Sequence, residues 1–315
     1  MNNFFDNQRI LTLIWKRKVH FVIVGIIAVL LSAIFSGPTF IRPKFKSTAR
    51  VYPINIISMS EESETEQMLE ILNSNDIKLR MFDAFNLSDV YNIKKEDPHY
   101  LSYMFDIYNE NVNTSKTEYE TVEIKVMDYS PERAALMCDS IIHFYNQKVG
   151  NMHRAKNFEM VQITQRELNK KRKEYDSLKV QLDQARKKSG IFDFNGQAPE
   201  ITRGYMNTLA NGRGASSDGQ KIERIYGSFA EQGSEISWLE EENRSTIAEI
   251  DSISKVHEVY VMEYEKDITY SHVVEHPIVA DKKSYPVRWL IVAFSAFSAV
   301  FMALLVFLVL DYRKE

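Results

Sequence analysis

Two long apolar runs, one near each end of the chain, constrain the fold more than any other feature of the sequence. The first extends from Val19 to Ser36 and the second from Trp289 to Leu310. Each run is long enough to cross the hydrocarbon core of a bilayer as a helix of about 20 residues. The sequence therefore predicts two membrane spans that hold a large water-soluble domain between them, with both chain ends in one compartment.

The flanking charges leave the orientation of these spans open. Basic residues precede the first run, as in a signal peptide, but small residues do not occupy both cleavage positions near Ser32 to Gly37, so we interpret the run as an uncleaved anchor. Lys and Arg side chains near the spans number six on the tails and seven on the domain side, so the positive-inside bias does not decide between the two orientations. The tail residues are Arg9, Lys16, Arg17, Lys18, Arg313 and Lys314, and the domain-side residues are Arg42, Lys44, Lys46, Arg50, Lys282, Lys283 and Arg288.

Composition bounds the class of protein. The aromatic content of 12% agrees with a folded domain, and a formal net charge of −4 argues against a nucleic-acid partner held by general electrostatics. The single cysteine, Cys138, has no partner for an intramolecular disulfide and lies in an apolar stretch, so we expect a buried structural thiol.

The domain between the spans begins and ends with strand-like segments. Lys46 to Asn55 and Thr121 to Met127 have the composition or alternation of strands, and Asp267 to Ala280 reads as a returning strand. Glu62 to Leu87 contains two helix-like apolar bursts, separated by polar residues 73–76 that can cap the second helix. These segments predict an α+β base next to the membrane.

A very long helix follows the base. Ser130 is a capping residue and Pro131 suits the first helical position. Apolar residues then recur by threes and fours to Met152 and by sevens from Val161 to Leu182, which predicts a helix to about Lys188. Such a helix would be roughly 85 Å long and would need a partner along its length. A second periodic segment, near residues 236–264, supplies that partner, and residues 190–219, which hold six of the eleven glycines, predict a flexible or turning tip. The residues predicted to form the seam of this antiparallel hairpin are Val161, Leu168, Tyr175, Leu182, Ile236, Leu239, Ile250 and Ile253.

Charge supports the same pairing. Residues 166–188 contain nine basic and four acidic side chains, a net of +5, whereas residues 231–265 contain two basic and ten acidic side chains, a net of −8. Complementary faces favour one register, although two independently solvated faces remain the alternative. His257 and Asn243, at seam positions, are predicted to set the register as buried polar residues.

Two segments approach known catalytic or phosphate-binding motifs, but neither fits the motif in full. His272, Glu275 and His276 match a zinc-protease pattern, but the flanking valines and Pro277 favour a strand, on which the two histidines would be too far apart to share one ion. Gly214 to Lys221 approaches a phosphate-binding loop but has Gln220 where the lysine must stand. We predict no catalytic, cofactor-binding or metal-binding residue, and no cofactor.

Small residues recur on one side of each span and are candidates for close packing of the two helices, although chance occurrence is an open alternative. These residues are Gly25, Ala28, Ser32, Ser295, Ala299 and Ala303.

The order of these elements resembles the chain-length determinant family of bacterial inner-membrane proteins, also called polysaccharide co-polymerases, to which the Wzz proteins belong. The segments that carry the resemblance are KSTARVYP (46–53), EQMLEILNSNDI (66–77), VMDYSPERAALMCDSII (126–142) and KSYPVRWLIV (283–292). The resemblance implies a ring-like homo-oligomer with both termini cytoplasmic and the large domain periplasmic. It also implies a non-enzymatic role in setting the chain length of O-antigen, capsule or exopolysaccharide, in contact with the membrane polymerase, the membrane lipid and the growing lipid-linked glycan. The alternative function is an export adaptor that reaches an outer-membrane channel.

The predicted fold class is thus an α+β membrane protein, with two transmembrane helices flanking a periplasmic base and a long protruding antiparallel, coiled-coil-like helical hairpin. The predicted segments are a cytoplasmic tail (1–18), the first span (19–37), the first part of the base (38–130), the hairpin (131–266) with its tip (190–219), the returning strand of the base (267–287), the second span (288–310) and a second tail (311–315).

Overall fold

The computed structural model describes residues 7–56 and 61–312, and the side chains of residues 10–56 and 61–311. The side chain of Arg9 and all of Arg313 and Lys314, which enter the charge comparison of the tails, lie outside these ranges. The chain divides into two compact units. The first unit comprises Met1–Val149 and Thr269–Glu315, and the second comprises Gly150–Ile268.

Helices and strands follow one another along the described chain in an order that agrees with the predicted fold class. The elements are α1 (Asn7–Phe35), β1 (Phe45–Pro53), α2 (Glu64–Leu72), α3 (Asn75–Ala84), α4 (Leu87–Tyr91), α5 (Tyr100–Asn111), β2 (Val112–Lys116), β3 (Val122–Asp128), α6 (Pro131–Ser189), α7 (Phe194–Ala210), α8 (Ser217–Glu265), β4 (Ser271–Glu275) and α9 (Arg288–Tyr312). The predicted combination of two terminal apolar helices, a small sheet and a long helix pair is confirmed.

The sheet of the first unit is small and antiparallel. Among the described residues its strand order is β2-β3-β1-β4, with Ala49 of β1 opposite Ile124 of β3. Every second residue of β3 from Val122 to Asp128 is buried, as expected for a strand that turns one face to a core. The strand predicted over Asp267 to Ala280 is shorter than expected, because β4 ends at Glu275. Beyond it, the Ser47 hydroxyl donates a hydrogen bond to the Ile278 carbonyl oxygen at 2.9 Å, so the chain still runs beside β1.

The first turns of α6 cover the buried face of this sheet. The Ser130 hydroxyl accepts a hydrogen bond from the Arg133 amide at 3.2 Å, which confirms the predicted cap, and α6 begins at Pro131. The predicted apolar face is buried where α6 crosses the sheet, at Ala134, Cys138, Ile141, Tyr145 and Val149.

The polar residues between α2 and α3 do not cap in the predicted way. Ser74 occupies the cap position of α3, but its side chain makes no capping hydrogen bond. Its hydroxyl donates instead to the Ile71 carbonyl oxygen at 2.6 Å and accepts from the Lys148 amine at 3.0 Å. Ser74 was predicted correctly as a candidate cap residue, but the predicted capping hydrogen bond was wrong. The hydroxyl is engaged instead by a carbonyl of the preceding helix and by the amine of Lys148.

Cys138 is expected to resist alkylation in the folded protein. Its thiol lies 3.7 Å from the Ser47 carbonyl oxygen, and burial raises its pKa to about 12. Because the thiolate is the reactive form, we expect almost no modification by iodoacetamide near neutral pH and full modification after denaturation. Mass spectrometry of the intact protein checks this, and rapid native labelling would contradict the burial.

Both terminal helices are long and apolar enough to cross a membrane, over Ile10–Phe35 and Arg288–Asp311. The helix α1 begins at Asn7, so the segment predicted as a tail before Val19 is helical over its described part. Most side chains on both helices are exposed, including Trp15 and Phe297, each at 71%. A helix that is apolar on nearly all sides but not covered by protein suggests a bilayer around it.

Candidate assembly surfaces of the helix pair

The second unit is built on two antiparallel helices, the part of α6 from Gly150 onward and α8. Ring centroids of Phe158 and Tyr264 lie 5.5 Å apart, and the Arg186 guanidinium lies 2.9 Å from the Glu240 carboxylate. Between these two contacts the residue number rises along α6 and falls along α8. The two helices therefore run in opposite directions.

One end of the pair is held by an apolar cluster. Its buried members are Leu178, Leu182, Ile191, Phe229, Ile236 and Leu239. Of the eight residues predicted to form the seam, Leu168, Leu182, Ile236 and Leu239 are buried, and Val161, Tyr175, Ile250 and Ile253 are half-buried. Sequence reasoning missed Leu178, which stands three residues after Tyr175 and four before Leu182, because only the seven-residue step was followed along α6. It also missed Ile191 and Phe229, which lie near the tip.

His257 makes a polar contact across the pair. Its Nδ1 lies 2.8 Å from the Thr164 hydroxyl oxygen, and that hydroxyl also lies 2.8 Å from the Met160 carbonyl oxygen. A carbonyl can only accept, so the hydroxyl proton points to Met160 and the imidazole N–H donates to Thr164. Asn243 is buried but bonds within its own helix, to the Leu239 carbonyl oxygen at 3.0 Å. Of the two predicted register residues, only His257 bonds across the pair.

Opposite charges meet at two places along the pair. The Lys171 amine lies 2.6 Å from the Glu249 carboxylate, and Arg186 pairs with Glu240. The hydrogen bond to Glu249, and then that to Glu174, raises the pKa of the Lys171 amine above its ordinary value. Most of the other ion pairs in this unit join residues three or four apart on one helix. Opposite charges therefore favour the register at these two contacts, and most other charged side chains of the two helices remain exposed.

The tip segment, residues 190–219, contains a helix that was not predicted. The helix α7 packs along α8: Phe194 stacks against Phe229, with centroids 6.0 Å apart, and Tyr205 stacks almost parallel on Tyr226 at 4.3 Å. The expectation of a merely turning tip was therefore wrong over α7. Glycines remain where the chain turns, as at Gly190 and Gly212, which both have positive φ.

Gly233 is a glycine of α8 against which a side chain of α7 packs closely. A Cβ added there would lie 2.2 Å from the Phe194 ring, whereas a Cβ at Gly227 would meet nothing within 4 Å. We expect Gly227→Ala to stabilise the protein by up to about 1 kcal/mol, since alanine is the better helix former. Gly233→Ala should instead destabilise it by about 1 kcal/mol, because Phe194 must leave its site.

Thermal unfolding of the two alanine variants checks this prediction. The pair is matched in residue type, substitution and helix, so a difference in sign isolates the contact with Phe194. Equal shifts for the two variants would contradict the close approach.

The two terminal helices pack against each other in the first unit. Phe21 and Phe307 meet edge to face at 5.3 Å, and a Cβ at Gly25 would lie 3.7 Å from a Val300 methyl carbon. The small residues singled out in the sequence are all at least half covered: Ser32 is buried, and Gly25, Ala28, Ser295, Ala299 and Ala303 are half-buried. The Ser32 hydroxyl donates to the Val29 carbonyl oxygen at 3.1 Å, so it is satisfied within its own helix. The small residues thus lie on the covered sides of α1 and α9.

The motifs that suggested chemistry adopt other structures. His272 and Glu275 lie on β4, where His272 is opposite Tyr52, and the Glu275 carboxylate lies 3.5 Å from the Arg50 guanidinium. Gly214 follows helix α7 rather than a strand, and Ser216 caps α8 by accepting a hydrogen bond from the Gly219 amide at 3.1 Å. Within residues 7–56 and 61–312, no cluster of three metal-binding side chains occurs.

Comparison with known proteins adds three findings. Residues 3–85 match the family model described as Wzz, chain length determinant protein. No curated protein matches the chain. Among solved structures, a full-length bacterial polysaccharide co-polymerase is similar at 13% identity, with 96% of this chain and 97% of that chain covered and a TM-score of 0.46.

Two further similar structures are those of Wzz proteins. The WzzB fragment from Salmonella Typhimurium has 13% identity and a TM-score of 0.28, with 77% of this chain and all (100%) of that chain covered. The wild-type lipopolysaccharide O-antigen chain-length regulator of Shigella flexneri has 12% identity and a TM-score of 0.32, with 76% of this chain and 99% of that chain covered.

The family match falls on α1, β1, α2 and α3, which include two of the segments that carried the resemblance in the sequence. It is independent of the long helices, which any coiled-coil-like protein could share. The resemblance to the chain length determinant family is confirmed over residues 3–85, which match the model of that family.

Proposed function

We propose that this chain is a non-enzymatic regulator of bacterial surface polysaccharide chain length. It acts as an oligomeric scaffold beside the membrane polymerase, in the inner membrane, with both termini cytoplasmic and the large domain periplasmic. The observation that carries the proposal is the family match over residues 3–85. The two apolar terminal helices around a base and a long helix pair support it.

The role of a scaffold requires rigid surfaces rather than a reactive group. The one thiol of the chain is buried, and its raised pKa makes it a poor nucleophile. The helix pair, in contrast, exposes long charged surfaces suited to contacts with other chains. We therefore assign length control to contacts made by the scaffold, with the polymerase performing the chemistry.

A genetic experiment tests this function. Deletion of the gene in the source bacterium is expected to replace a defined modal length of the surface polysaccharide with a broad distribution of shorter chains. Expression of the full chain should restore the mode, while total glycan composition stays the same. Gel electrophoresis of the extracted polysaccharide is the measurement, and an unchanged ladder after deletion would sink the proposal.

Charge on the outer faces of the helix pair supports a homo-oligomer with copies side by side. Lys173, Lys179, Lys187 and Lys188 are exposed on α6, and acidic residues such as Glu235, Glu241 and Glu258 are exposed on α8. When one copy stands beside the next in the same orientation, the basic helix of one can face the acidic helix of its neighbour. Such an arrangement closes into a ring if the rotation allows it.

Reversing the basic charges should weaken this assembly. We expect Lys173→Glu/Lys179→Glu/Lys187→Glu to shift the detergent-solubilised protein toward smaller species by mass photometry, because like charges would then face each other. Adding Glu235→Lys/Glu241→Lys/Glu258→Lys to the same chain should restore the larger species. If the first triple variant assembles as well as the unmodified protein, the charged faces do not form the contact between copies.

The export adaptor is the second candidate function, and one observation favours it. Several apolar side chains at the tip segment are exposed, with Phe192 at 65%, Met206 at 54% and Leu209 at 50%. Exposed apolar side chains on a polar helical unit can serve a further protein partner. Site-specific photo-crosslinking from Met206 discriminates the two functions: an outer-membrane channel as the main product favours the adaptor, and the polymerase or a second copy favours the scaffold.

A further inference from the structure

The two connections between the base and the terminal helices run side by side. The Lys44 amide donates to the Tyr285 carbonyl oxygen at 3.0 Å, and the Ser284 amide donates to the Lys44 carbonyl oxygen at 2.9 Å. Residues about 240 positions apart in sequence therefore meet just after α1 ends at Phe35 and just before α9 begins at Arg288. If the two helices are membrane spans, this meeting point lies at the bilayer surface.

Basic side chains are concentrated at this meeting point. Residues 37–56 contain no Asp or Glu, and residues 276–290 contain only Asp281. Arg50 is already engaged by Glu123 and Glu275, at 3.2 and 3.5 Å. The remaining cations, which we name the basic collar, are Arg42, Lys44, Lys46, Lys282, Lys283 and Arg288.

The structure orients two collar cations toward one aromatic ring. The Arg42 guanidinium lies 4.9 Å and the Lys44 amine 5.6 Å from the centroid of the Tyr129 ring. Lys44 also donates to the Asn111 side-chain oxygen at 2.6 Å, which is a neutral acceptor. Neither contact neutralises a positive charge. The other four members of the collar are exposed.

This charge is unexpected for a domain that crosses the membrane. The whole chain has a formal net charge of −4, yet the collar has six cations beside one Asp, and the flanks on the domain side hold seven cations against six on the tails. Cations near spans normally stay on the cytoplasmic side. Their presence here is explained if they bind phosphate groups at the level where spans leave the hydrocarbon.

We propose that the basic collar binds the phosphate headgroups of anionic phospholipids in the leaflet next to the base. The inference rests on the membrane placement in the proposed function and goes beyond its role in length control. The collar gathers anionic lipid around the two spans and fixes the depth of the base at the bilayer surface. Bulk phospholipid is the ligand because it surrounds both spans at this level without any need for a closed pocket.

Tryptophan quenching can test the collar directly. Trp289 is next to Arg288 and is 72% exposed. The variant Trp15→Phe/Trp238→Phe leaves it as the one tryptophan of the full chain. This protein is reconstituted in phosphatidylcholine vesicles with a minor fraction of phosphatidylglycerol, and bromine is placed on the acyl chains of either one lipid or the other.

We expect brominated phosphatidylglycerol to quench Trp289 roughly threefold more, per mole, than brominated phosphatidylcholine. The additional changes Arg42→Gln/Lys46→Gln/Lys283→Gln/Arg288→Gln should bring the ratio to about one. A matched control replaces two arginines and two lysines that are exposed in the second unit, Arg203, Lys221, Arg244 and Lys255, by glutamine and should leave the ratio unchanged. High salt should lower the preference of the unmodified sequence at the collar, and this arm requires no substitution there.

The outcomes separate the collar from the placement on which it rests. Equal quenching by the two lipids, or an equal loss in the control, would overturn the collar alone. Absence of quenching by either lipid would overturn the membrane placement as well. If a trace of undecaprenyl phosphate displaced the brominated phosphatidylglycerol, the site would belong to a polyprenyl carrier, and its assignment to bulk phospholipid would be overturned.

Discussion

Replacing Ile236 by aspartate is expected to open the helix pair of the second unit. Ile236 is fully buried in the cluster that joins α6, α7 and α8. Truncating such a side chain costs about 2–5 kcal/mol, and a carboxylate placed among apolar side chains adds a further desolvation cost. We therefore expect a loss of at least about 4 kcal/mol in the local stability of this unit.

Ile247 supplies the matched control on the same helix. It has the same side chain but is 51% exposed, so Ile247→Asp introduces the same charge without breaking the cluster. Hydrogen exchange of the full-length protein in detergent is the measurement. Peptides from residues 178–182 and 229–240 should lose protection in the Ile236 variant and keep it in the control.

The same variant links the fold to the proposed function. Expressed in a deletion strain, the Ile236→Asp chain should fail to restore the modal length of the polysaccharide, since the scaffold has lost its helix pair. Protection that is unchanged at Ile236, or lost equally in both variants, would contradict the cluster as described.

The long helices could be predicted because their apolar residues keep one period. Apolar residues recur by threes and fours and then by sevens up to Leu182, and the cap at Ser130 and Pro131 fixes the start. Short elements were not predicted because their conformation depends on contacts with residues distant in sequence. The strand β2 is a polar edge strand, VNTSK, whose only sheet partner in the described residues is β3, and its sequence carries no alternation to reveal it.

The helix α7 was not predicted because its proline and the nearby glycines outweighed its periodic apolar residues. Pro199 lies inside it and glycines are frequent around it, and both features usually mark the end of a helix. Yet Phe194, Ala198 and Ile201 pack on the apolar cluster at a helical spacing of four and three. The spacing could have identified the helix, but only the tertiary contact with Phe229 shows why it holds.

The capping box at the start of α2 was not predicted, although both of its residues stand at the required spacing in the sequence. Ser63 accepts from the Glu66 amide at 3.2 Å, and the Glu66 carboxylate accepts from the Ser63 amide at 3.0 Å. The basic collar is a different case. The sequence shows the cations that follow the first apolar run and those that precede the second, but nothing in it indicates that Lys44 and Tyr285 pair. The clustering of the two groups of cations therefore follows only from the fold.

Removing the carboxylate of Asp128 is expected to destabilise the base at the junction between β3 and α6. Its side chain is fully buried, and one oxygen accepts from the Ser130 amide at 2.8 Å and from the Arg133 guanidinium at 2.5 Å. Asp128→Ala leaves both donors without this acceptor. Because 29% of the Arg133 side chain is exposed and water can reach part of it, we expect a cost of about 2–4 kcal/mol rather than that of a fully buried charge.

Graded substitutions separate the charge from the hydrogen bonds at Asp128. Asp128→Asn keeps an acceptor oxygen and should cost less than alanine, about 1–2 kcal/mol. Adding Arg133→Met to Asp128→Ala removes the stranded cation, so the double variant should recover part of the loss. Asp76→Ala breaks a more exposed ion pair, with Lys148, in the same unit and should change stability little. Chemical denaturation of the four variants in detergent measures this order of stability. If the double variant were less stable than Asp128→Ala, Arg133 would stabilise the base through its packing rather than through its pairing with the carboxylate.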